Sequence, residues 1–378
     1  MSDPNDKANG KQEENLPSDS SENQQPSTEE ILREILKTAT FFLFGVCLVA
    51  FIITVIKDAS FFEFSNATLI SLGGAFNINI YDGEYWRIFT ATFLHGGFFH
   101  LLFNMFSLLY FGSYTEAMYG RKLYIIIFLA AVFTDGSFSL YFNSNRYLVS
   151  VGISSAVIGF LVAFFSAIIL FPNPSDEKST LKEKLGLTAL ALFIVTVSIL
   201  GRGENVDIAG HFGGAVCAMF LTVPYWYVKM HLKKEKLANG IFYFMAISIV
   251  FADILIISKA PNDIYEYHTS LYRIAKEHDE MMDSWNELNQ MDNYQAKQAI
   301  AMEQVSKMKH LIERINTEVY CLKVEDPLKD RAQRYAEIIR LDIRQLEWVF
   351  GEPTPRTIPE DTLNQMLHVR DSLLKSLY

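Results

Sequence analysis

Gly152-Ile153-Ser154-Ser155-Ala156 stands at the head of an apolar run that extends to residue 171. The run carries no charge until Asp176, which predicts a membrane-spanning helix. Backbone N–H groups in the first turn of a helix have no intrahelical partner, so they can stabilise a negative oxygen that develops beside the Ser154 hydroxyl. Ser and Gly are also common in membrane helices as packing and capping residues. The pentapeptide alone leaves a catalytic and a structural interpretation open.

The composition is that of a membrane protein. Half of the 378 residues are hydrophobic, which is too apolar for an ordinary soluble protein of this size. The apolar runs lie between a polar, acidic N-terminal segment and a charged C-terminal third. The formal net charge of -10 argues against a nucleic-acid partner. The three cysteines, at positions 47, 217 and 321, predict neither a disulfide framework nor a zinc site.

Seven apolar runs approach or reach the length that spans a bilayer as a helix. These predicted spans, numbered one to seven, cover residues 38–56, 100–119, 122–141, 154–171, 185–200, 210–227 and 240–257. Spans one, three, four and seven look strongly apolar. Spans two and six carry polar residues, which we expect to face the bundle interior because they are costly in lipid.

Lysine and arginine residues concentrate in the loops of one side, namely those after spans two, four and six and the segment before span one. The opposite loops contain only Lys57, Arg87, Arg146 and Arg202. The positive-inside rule therefore predicts a cytoplasmic N-terminus and, with seven spans, a C-terminal region outside.

The two ends of the chain are predicted to lie outside the bilayer. Residues 1–30 are expected to be disordered, because they are polar and offer almost nothing to bury. The C-terminal region shows helical periodicity over 270–319, which predicts a long amphipathic helix or a coiled-coil-like segment, and over 328–350 and 359–377, which predicts two further helices. No catalytic pattern appears there. A packing or self-association module is favoured over the binding of a protein partner.

A histidine in span six is the best candidate for a catalytic base. Hydrolysis by serine needs a base and donors for the oxyanion. His211 opens span six, and small residues follow it on the same helix face at Gly214 and Ala218. Span four has small residues of its own, at Ala156, Gly159 and Ala163. Such faces allow two helices to approach closely, so Ser154 and His211 can meet. A histidine at the membrane surface is the alternative.

His100 and Asn104 lie one turn apart near the start of span two. Both are hydrogen-bond donors, and both are costly if they face lipid. Facing inward, they fit an oxyanion hole that supplements the backbone N–H groups of Ile153 and Ser154. An interhelical hydrogen-bond pair is the alternative.

Taken together, the motifs resemble the rhomboid family of intramembrane serine proteases over roughly residues 40–228. The residues that carry this resemblance are Trp86-Arg87, Thr90, Phe93-Leu94-His95, His100 to Met105, Gly112, Glu116, Gly120, Gly152-Ile153-Ser154 and Ala209 to Gly214. Three positions depart from the family pattern while staying small: Ser155 and Ala218 stand where the family usually has Gly, and Gly210 where it usually has Ala.

The resemblance implies a Ser–His dyad with no buried acid, in which Ser154 is the nucleophile and His211 is the general base and acid. It implies that His100, Asn104 and the Ile153 N–H assist the oxyanion. It places Trp86-Arg87 in a membrane-embedded loop, and it gives Arg87, Glu116, Gly152 and Gly214 structural roles.

We therefore predict an all-α polytopic membrane protein: a six-helix rhomboid-like core over 38–228, a basic connector and seventh transmembrane helix over 229–258, and a helical extramembrane domain over 259–378, after a disordered cytoplasmic segment over 1–37. The expected function is an intramembrane serine endopeptidase that cleaves single-span membrane proteins in the lipid bilayer. Neither a metal nor an organic cofactor is expected.

Two rival functions remain open at the level of sequence. One is a non-catalytic relative of the same fold that binds membrane clients, for which Ser155 is the only supporting feature. The other is a transporter, against which we count the apparent lack of paired intramembrane acids. A bacterial inner membrane is the expected location, because no transit or signal segment is recognisable.

Overall fold

The computed structural model describes residues 28–170, 206–289, 291–352 and 357–375. Predicted span five and the N-terminal segment expected to be disordered fall outside these residues, except for the last few positions of that segment. The chain divides into two compact units, Met1–Lys37 and Thr38–Tyr378. The first unit contains helix α1, Thr28–Leu36, whose surface bears exposed ion pairs between Arg33 and Glu29 and between Lys37 and Glu34.

The second unit is almost entirely helical. Its first half comprises α2 (Ala39–Asp58), α3 (Asn66–Ser71), β1 (Ala75–Phe76), α4 (Asn77–Tyr81), α5 (Arg87–Thr90), α6 (Phe98–Ser107), α7 (Ser113–Phe142), β2 (Val149–Ser150) and α8 (Ser154–Phe165). Its second half comprises α9 (Ile208–His231), α10 (Glu235–Ser258), α11 (Asp263–Asn289), α12 (Tyr294–Arg314), α13 (Asp326–Phe350) and α14 (Glu360–Lys375). A π-helical turn, Leu108–Gly112, joins α6 to α7, and a second one, Ser166–Leu170, extends α8.

Apolar helices occupy the positions of every predicted span that falls within the described residues. Four helical stretches there are long and apolar enough to cross a bilayer: Ala39–Asp58, Phe98–Phe142, Ile208–His231 and one that begins at Glu235. The stretch Phe98–Phe142 contains spans two and three, separated at Gly120 by non-helical backbone with φ 76° and ψ 158°. Helix α8, with its π-helical extension, is a shorter apolar helix at span four.

The outer faces of these helices are apolar. Large hydrophobic side chains are exposed on α2, α9 and α10, among them Ile56, Phe212 and Ile247. So many exposed apolar side chains on neighbouring helices are typical of a surface that contacts lipid. Together with the family assignment made below, they establish a multi-pass membrane protein.

Spans three and seven were expected to be strongly apolar, but each contains an aspartate that the structure places among polar groups of a neighbouring helix. Asp253 of α10 accepts hydrogen bonds from the hydroxyls of Thr134 (3.0 Å) and Ser137 (2.8 Å) on α7. Asp135 of α7 accepts one from Ser155 of α8. Inside a bilayer a carboxylate must be satisfied by protein groups, so each aspartate ties α7 to a neighbouring helix.

The C-terminal region is helical, but the single helix predicted over 270–319 is wrong. Two helices cover it, α11 and α12, and α12 starts afresh because the Asn293 side chain caps the Ala296 N–H at 3.2 Å. The predicted helices over 328–350 and 359–377 correspond to α13 and α14. Residues of α11 to α13 form a hydrophobic core of their own, separate from the core of the membrane helices.

The C-terminal helices pack on the loops that lead to Ser154. Tyr81 donates a hydrogen bond to the Pro261 carbonyl (2.5 Å), and Ile264 N–H bonds the Ser144 carbonyl (3.3 Å). Arg146 pairs with Glu325 at 3.1 Å. In the same region β1 pairs antiparallel with β2, whose next residues lead into α8. The C-terminal helices therefore contact both segments that carry this small sheet.

The start of span one and the end of span two are joined by one carboxylate. Glu116 accepts hydrogen bonds from the backbone N–H of Ala39 (2.8 Å), and from the N–H and hydroxyl of Thr40 (both 2.9 Å). A negative charge at a helix N-terminus satisfies N–H groups that the helix itself leaves unpaired.

Replacing this carboxylate is expected to destabilise the membrane bundle. In Glu116→Ala the N–H groups of Ala39 and Thr40 lose their acceptor, which should lower the free energy of unfolding by about 2 kcal/mol or more. Thermal unfolding in detergent measures the change, and Glu63→Ala, at an exposed glutamate, is the control. Equal unfolding temperatures for the two variants would refute the capping role.

Candidate active site

The candidate nucleophile and base stand at the heads of two membrane helices. Ser154 is the first residue of α8, and His211 lies in the first turn of α9. Ser154 Oγ lies 2.6 Å from His211 Nε2, a hydrogen-bond distance, although 57 residues separate them. Ser154 is 8% exposed, so the pair is shielded by protein on most sides.

Small residues allow α8 and α9 to approach at this point. A Cβ atom built at Gly214 would lie 2.7 Å from the Ser155 carbonyl oxygen, closer than real Cβ atoms come. A Cβ atom at Gly159 would lie 3.7 Å from Ala218 Cβ. The small faces proposed from the sequence therefore meet, and Gly214 is the position where no side chain fits.

A buried hydrogen-bond chain holds the head of α9. The Asp207 carboxylate caps α9 by accepting the Gly210 N–H (2.8 Å), and it also accepts the Asn143 side-chain amide (2.9 Å). The Asn143 carbonyl in turn accepts the Asn77 amide at 2.9 Å. The chain links α4, the end of α7 and α9, so it orients the turn that carries His211. Sequence reasoning missed it, although an aspartate just before a helix is a recognised capping signal.

His100 lies against the residue that precedes the nucleophile turn. A Cβ atom at Gly152 would lie 2.6 Å from His100 Cε1 and 3.0 Å from Nε2, and the Gly152 φ of +120° favours glycine. His100 Nδ1 accepts a hydrogen bond from the Gly96 N–H at 3.3 Å, which assigns the proton of the neutral ring to Nε2. The donor side of the imidazole thus faces the Gly152 turn.

The other two predicted oxyanion groups are the Asn104 side chain and the Ile153 backbone N–H. The Asn104 amide donates to the His100 carbonyl of its own helix at 2.9 Å. Ile153 is fully buried and is the N-cap residue of α8, so its backbone belongs to the turn that holds Ser154. His95 is buried in the loop before α6, with its ring centroid 5.0 Å from that of His100.

An acidic side chain that the sequence analysis overlooked lies beside the nucleophile turn. Asp135 Oδ1 accepts a hydrogen bond from Ser155 Oγ at 2.5 Å. Asp135 and Asp207 both come close to Gly210, the residue before His211. This acid bonds Ser155 beside the pair, and the Ser–His dyad without a third, acidic member stays a prediction. The signal was available, because a single acid inside an apolar span is a functional hypothesis by default.

The loop before α6 is braced by Arg87. The guanidinium is buried, pairs with Glu84 and donates to the carbonyls of Ile70 (2.6 Å) and Gly74 (3.1 Å). It also lies 4.7 Å from the centre of the Trp86 ring. These contacts shape the turn before β1 and give Arg87 a role in the loop fold. None of them joins the Ser154 and His211 pair.

The geometry supports general-base chemistry at Ser154. A hydroxyl hydrogen-bonded to an imidazole can pass its proton to the ring as the oxygen attacks a carbonyl. A small cavity of about 20 Å³, large enough for one water, adjoins the Gly152 turn. Its polar lining includes Asn77, Thr92 and Asp135.

The comparison with known proteins identifies the class of this fold and site. Residues 82–228 match the Rhomboid domain model. The chain is 33% identical over 153 residues to Rhomboid protease GluP of Bacillus subtilis, an alignment that covers 40% of this chain and 28% of GluP. It is 30% identical over 214 residues to RHOMBOID-like protein 5 of Arabidopsis thaliana, covering 52% of this chain and 68% of that relative.

A third relative, Rhomboid protease AarA of Providencia stuartii, is 29% identical over 183 residues, which is 43% of this chain and 65% of AarA. No solved structure matches the chain. The domain match and these relatives show that the chain belongs to the rhomboid family.

Substitution of the glycine beside His100 tests the geometry of the nucleophile turn. Gly152→Ala adds a methyl group that overlaps the His100 ring and strains the backbone, so we expect the reaction of Ser154 with a fluorophosphonate probe to slow roughly a hundredfold. Gly240→Ala is the control, because a Cβ atom there meets no atom within 4 Å. Labelling of the Gly152→Ala protein at the parent rate would show that the turn does not depend on this contact.

Proposed function

We propose that this chain is an intramembrane serine endopeptidase that cleaves transmembrane segments of membrane-protein substrates. The observation that carries the proposal is the 2.6 Å contact between Ser154 Oγ and His211 Nε2 at the heads of two apolar helices. Membership of a family whose named relatives are rhomboid proteases supports the same function.

In the proposed mechanism Ser154 attacks the scissile carbonyl while His211 Nε2 takes its proton. The imidazolium then gives that proton to the leaving amine, and an acyl-enzyme on Ser154 remains. Water, activated by the neutral His211, releases the second product. This sequence needs neither a metal nor a cofactor.

The oxyanion that forms in each step is proposed to receive hydrogen bonds from the Ile153 and Ser154 N–H groups and from the His100 ring. The tautomer with its proton on Nε2 supports the role of His100, because that nitrogen faces the Gly152 turn. Asn104 would join only by turning from the His100 carbonyl, which occupies its amide in the structure.

The proposed topology has seven spans, a cytoplasmic N-terminus and an outer C-terminal domain. Two contacts support it: Glu116 joins the start of span one to the end of span two, and the contacts of Arg146 and Ile264 join the end of span three to the segment after span seven. Such pairs of ends lie on one side in a seven-span arrangement. Relatives from bacteria and a plant both match, so the bacterial inner membrane stays a prediction. Single-span substrates remain a prediction as well.

The function is tested with purified protein in liposomes that contain several single-span reporter proteins. Ser154→Ala and His211→Ala should each lower cleavage by at least about a thousandfold, because each removes a member of the reacting pair. Ser155→Ala should still cut, at a reduced rate.

Loss of cleavage in Ser155→Ala with retention in Ser154→Ala would shift the nucleophile by one residue. A folded parent protein that binds the reporters, cuts none of them and resists fluorophosphonate labelling would support the non-catalytic relative instead.

The topology is tested with the chain's own cysteines. Cys321 is exposed on the C-terminal domain, whereas Cys47 and Cys217 are buried in membrane helices. A membrane-impermeant maleimide should therefore label Cys321 in right-side-out vesicles and not in sealed inverted ones. Cys321→Ser is the control that identifies the labelled site. The opposite pattern would place the C-terminal domain in the cytoplasm and contradict the proposed combination of seven spans with a cytoplasmic N-terminus.

A further inference from the structure

A carboxylate from span three reaches the residue next to the candidate nucleophile. Asp135 Oδ1 accepts the Ser155 hydroxyl at 2.5 Å, and Ser155 is 5% exposed. An acid within an apolar span is costly unless protein groups satisfy it. Ser155 is therefore a donor for Asp135, and Asp135 an acceptor that fixes the direction of the Ser155 hydroxyl.

The same carboxylate lies against the residue next to the candidate base. A Cβ atom at Gly210 would lie 2.2 Å from Asp135 Oδ1 and 2.8 Å from its Cγ. Even an alanine at position 210 is too large while Asp135 keeps this position. Asp135 is thus in contact with the neighbours of both Ser154 and His211, on two different helices.

Ser155 also contacts α9, in addition to Asp135 of α7. A Cβ atom added at Gly214 would lie 2.7 Å from the Ser155 carbonyl oxygen and 3.2 Å from the Ser155 Cβ. The residue is therefore fixed between α7 and α9, and its hydroxyl is turned towards α7. Without Asp135, that hydroxyl could rotate and donate to Ser154 or to the substrate carbonyl, in competition with the groups that carry the reaction.

From this geometry we propose that Asp135 is a positioning residue for the Ser154–His211 pair. It serves the pair through its hydrogen bond to Ser155, which ties the nucleophile turn to α7 and holds the Ser155 hydroxyl away from the reacting atoms. Because Gly210 has no side chain, the Asp135 carboxylate fits beside it. Asp135, Ser155 and Gly210 then form one unit, which accounts together for two of the positions where this chain departs from the rhomboid pattern. The proposal rests on the proposed protease function and adds a residue to it.

The first experiment is a double-mutant cycle on cleavage in liposomes, with kcat and KM measured separately. Asp135→Ala frees the Ser155 hydroxyl, and Ser155→Gly leaves the Asp135 carboxylate without this donor. Each should lower kcat about tenfold, the rate equivalent of one ordinary hydrogen bond, with little change in KM. The double variant should lose about tenfold rather than a hundredfold, because both changes remove the same interaction.

The second experiment is a rescue. Gly210→Ala should lose most of its activity because the methyl group overlaps Asp135, and adding Asp135→Ala should recover at least about tenfold of it. Asp135→Asn keeps an acceptor oxygen for Ser155 and should retain most of the parent kcat. Recovery at position 210 would show that the Asp135 carboxylate occupies this space in the active protein, and the kcat cycle with Ser155 decides whether it positions the reacting pair.

Asp253 provides the matched control. It is a buried aspartate in the membrane bundle, and it bonds Thr134 and Ser137 of α7, on either side of Asp135. Asp253→Ala should lower the unfolding temperature, and its effect on kcat should multiply with that of Ser155→Gly. The positioning role would be overturned if the kcat losses of Asp135→Ala and Ser155→Gly also multiplied in the double variant. It would also be overturned if Asp135→Ala restored no activity to Gly210→Ala. In both cases Ser154-dependent cleavage would still stand.

The two proposals fail in different ways. If no variant or parent cuts a reporter in a Ser154-dependent manner, the protease function fails. The double-mutant cycle is then carried out on unfolding temperatures. The hydrogen bond between Asp135 and Ser155 predicts that the shifts of the two single variants do not add in the double variant. Additive shifts in that case would overturn the Asp135–Ser155–Gly210 unit too.

Discussion

The close contact between α8 and α9 is the constraint on which the candidate site depends. Backbone meets backbone at Gly214, where a Cβ atom would lie 2.7 Å from the Ser155 carbonyl oxygen. In a bilayer, lipid tails are as apolar as leucine, so helices associate through van der Waals packing and hydrogen bonds rather than through hydrophobic burial. Small residues strengthen that packing because they shorten the distance between helix axes. The same short distance brings Ser154 and His211 within a hydrogen bond.

Polar groups inside the bundle then fix how each helix is placed. Because lipid offers no hydrogen-bond partner, every buried polar side chain must find one within the protein. Glu116 finds its partners at the start of α2, Asp253 on α7, and Asp207 at Gly210 and Asn143. Apart from the local cap between Asp207 and Gly210, these bonds join segments distant in sequence. The residues that look most costly in an apolar span are thus the ones that determine how the spans fit together.

The C-terminal helices α11 to α13 are tied to the same structure. Their separate core takes in Ile78, Tyr81 and Tyr147, which belong to the loops around β1 and β2. Those strands pair immediately before the Gly152 turn, which itself bonds the Ala91 carbonyl through its N–H at 2.9 Å. The C-terminal helices and the nucleophile turn therefore contact the same pair of loops around β1 and β2.

The sequence by itself determined the apolar spans that the structure describes, because the length of an apolar run is a local property. Its motifs also singled out Ser154 and His211 as candidates, through their resemblance to a protein family. It did not determine the partner of Ser155, the helix break at Asn293 or the acid beside Gly210. Those depend on which side chains meet when helices pack, and a lone aspartate in an apolar run does not reveal its acceptor role. The 2.6 Å distance at the candidate site was likewise decided only by tertiary structure, since it follows from helix separation and not from residue order.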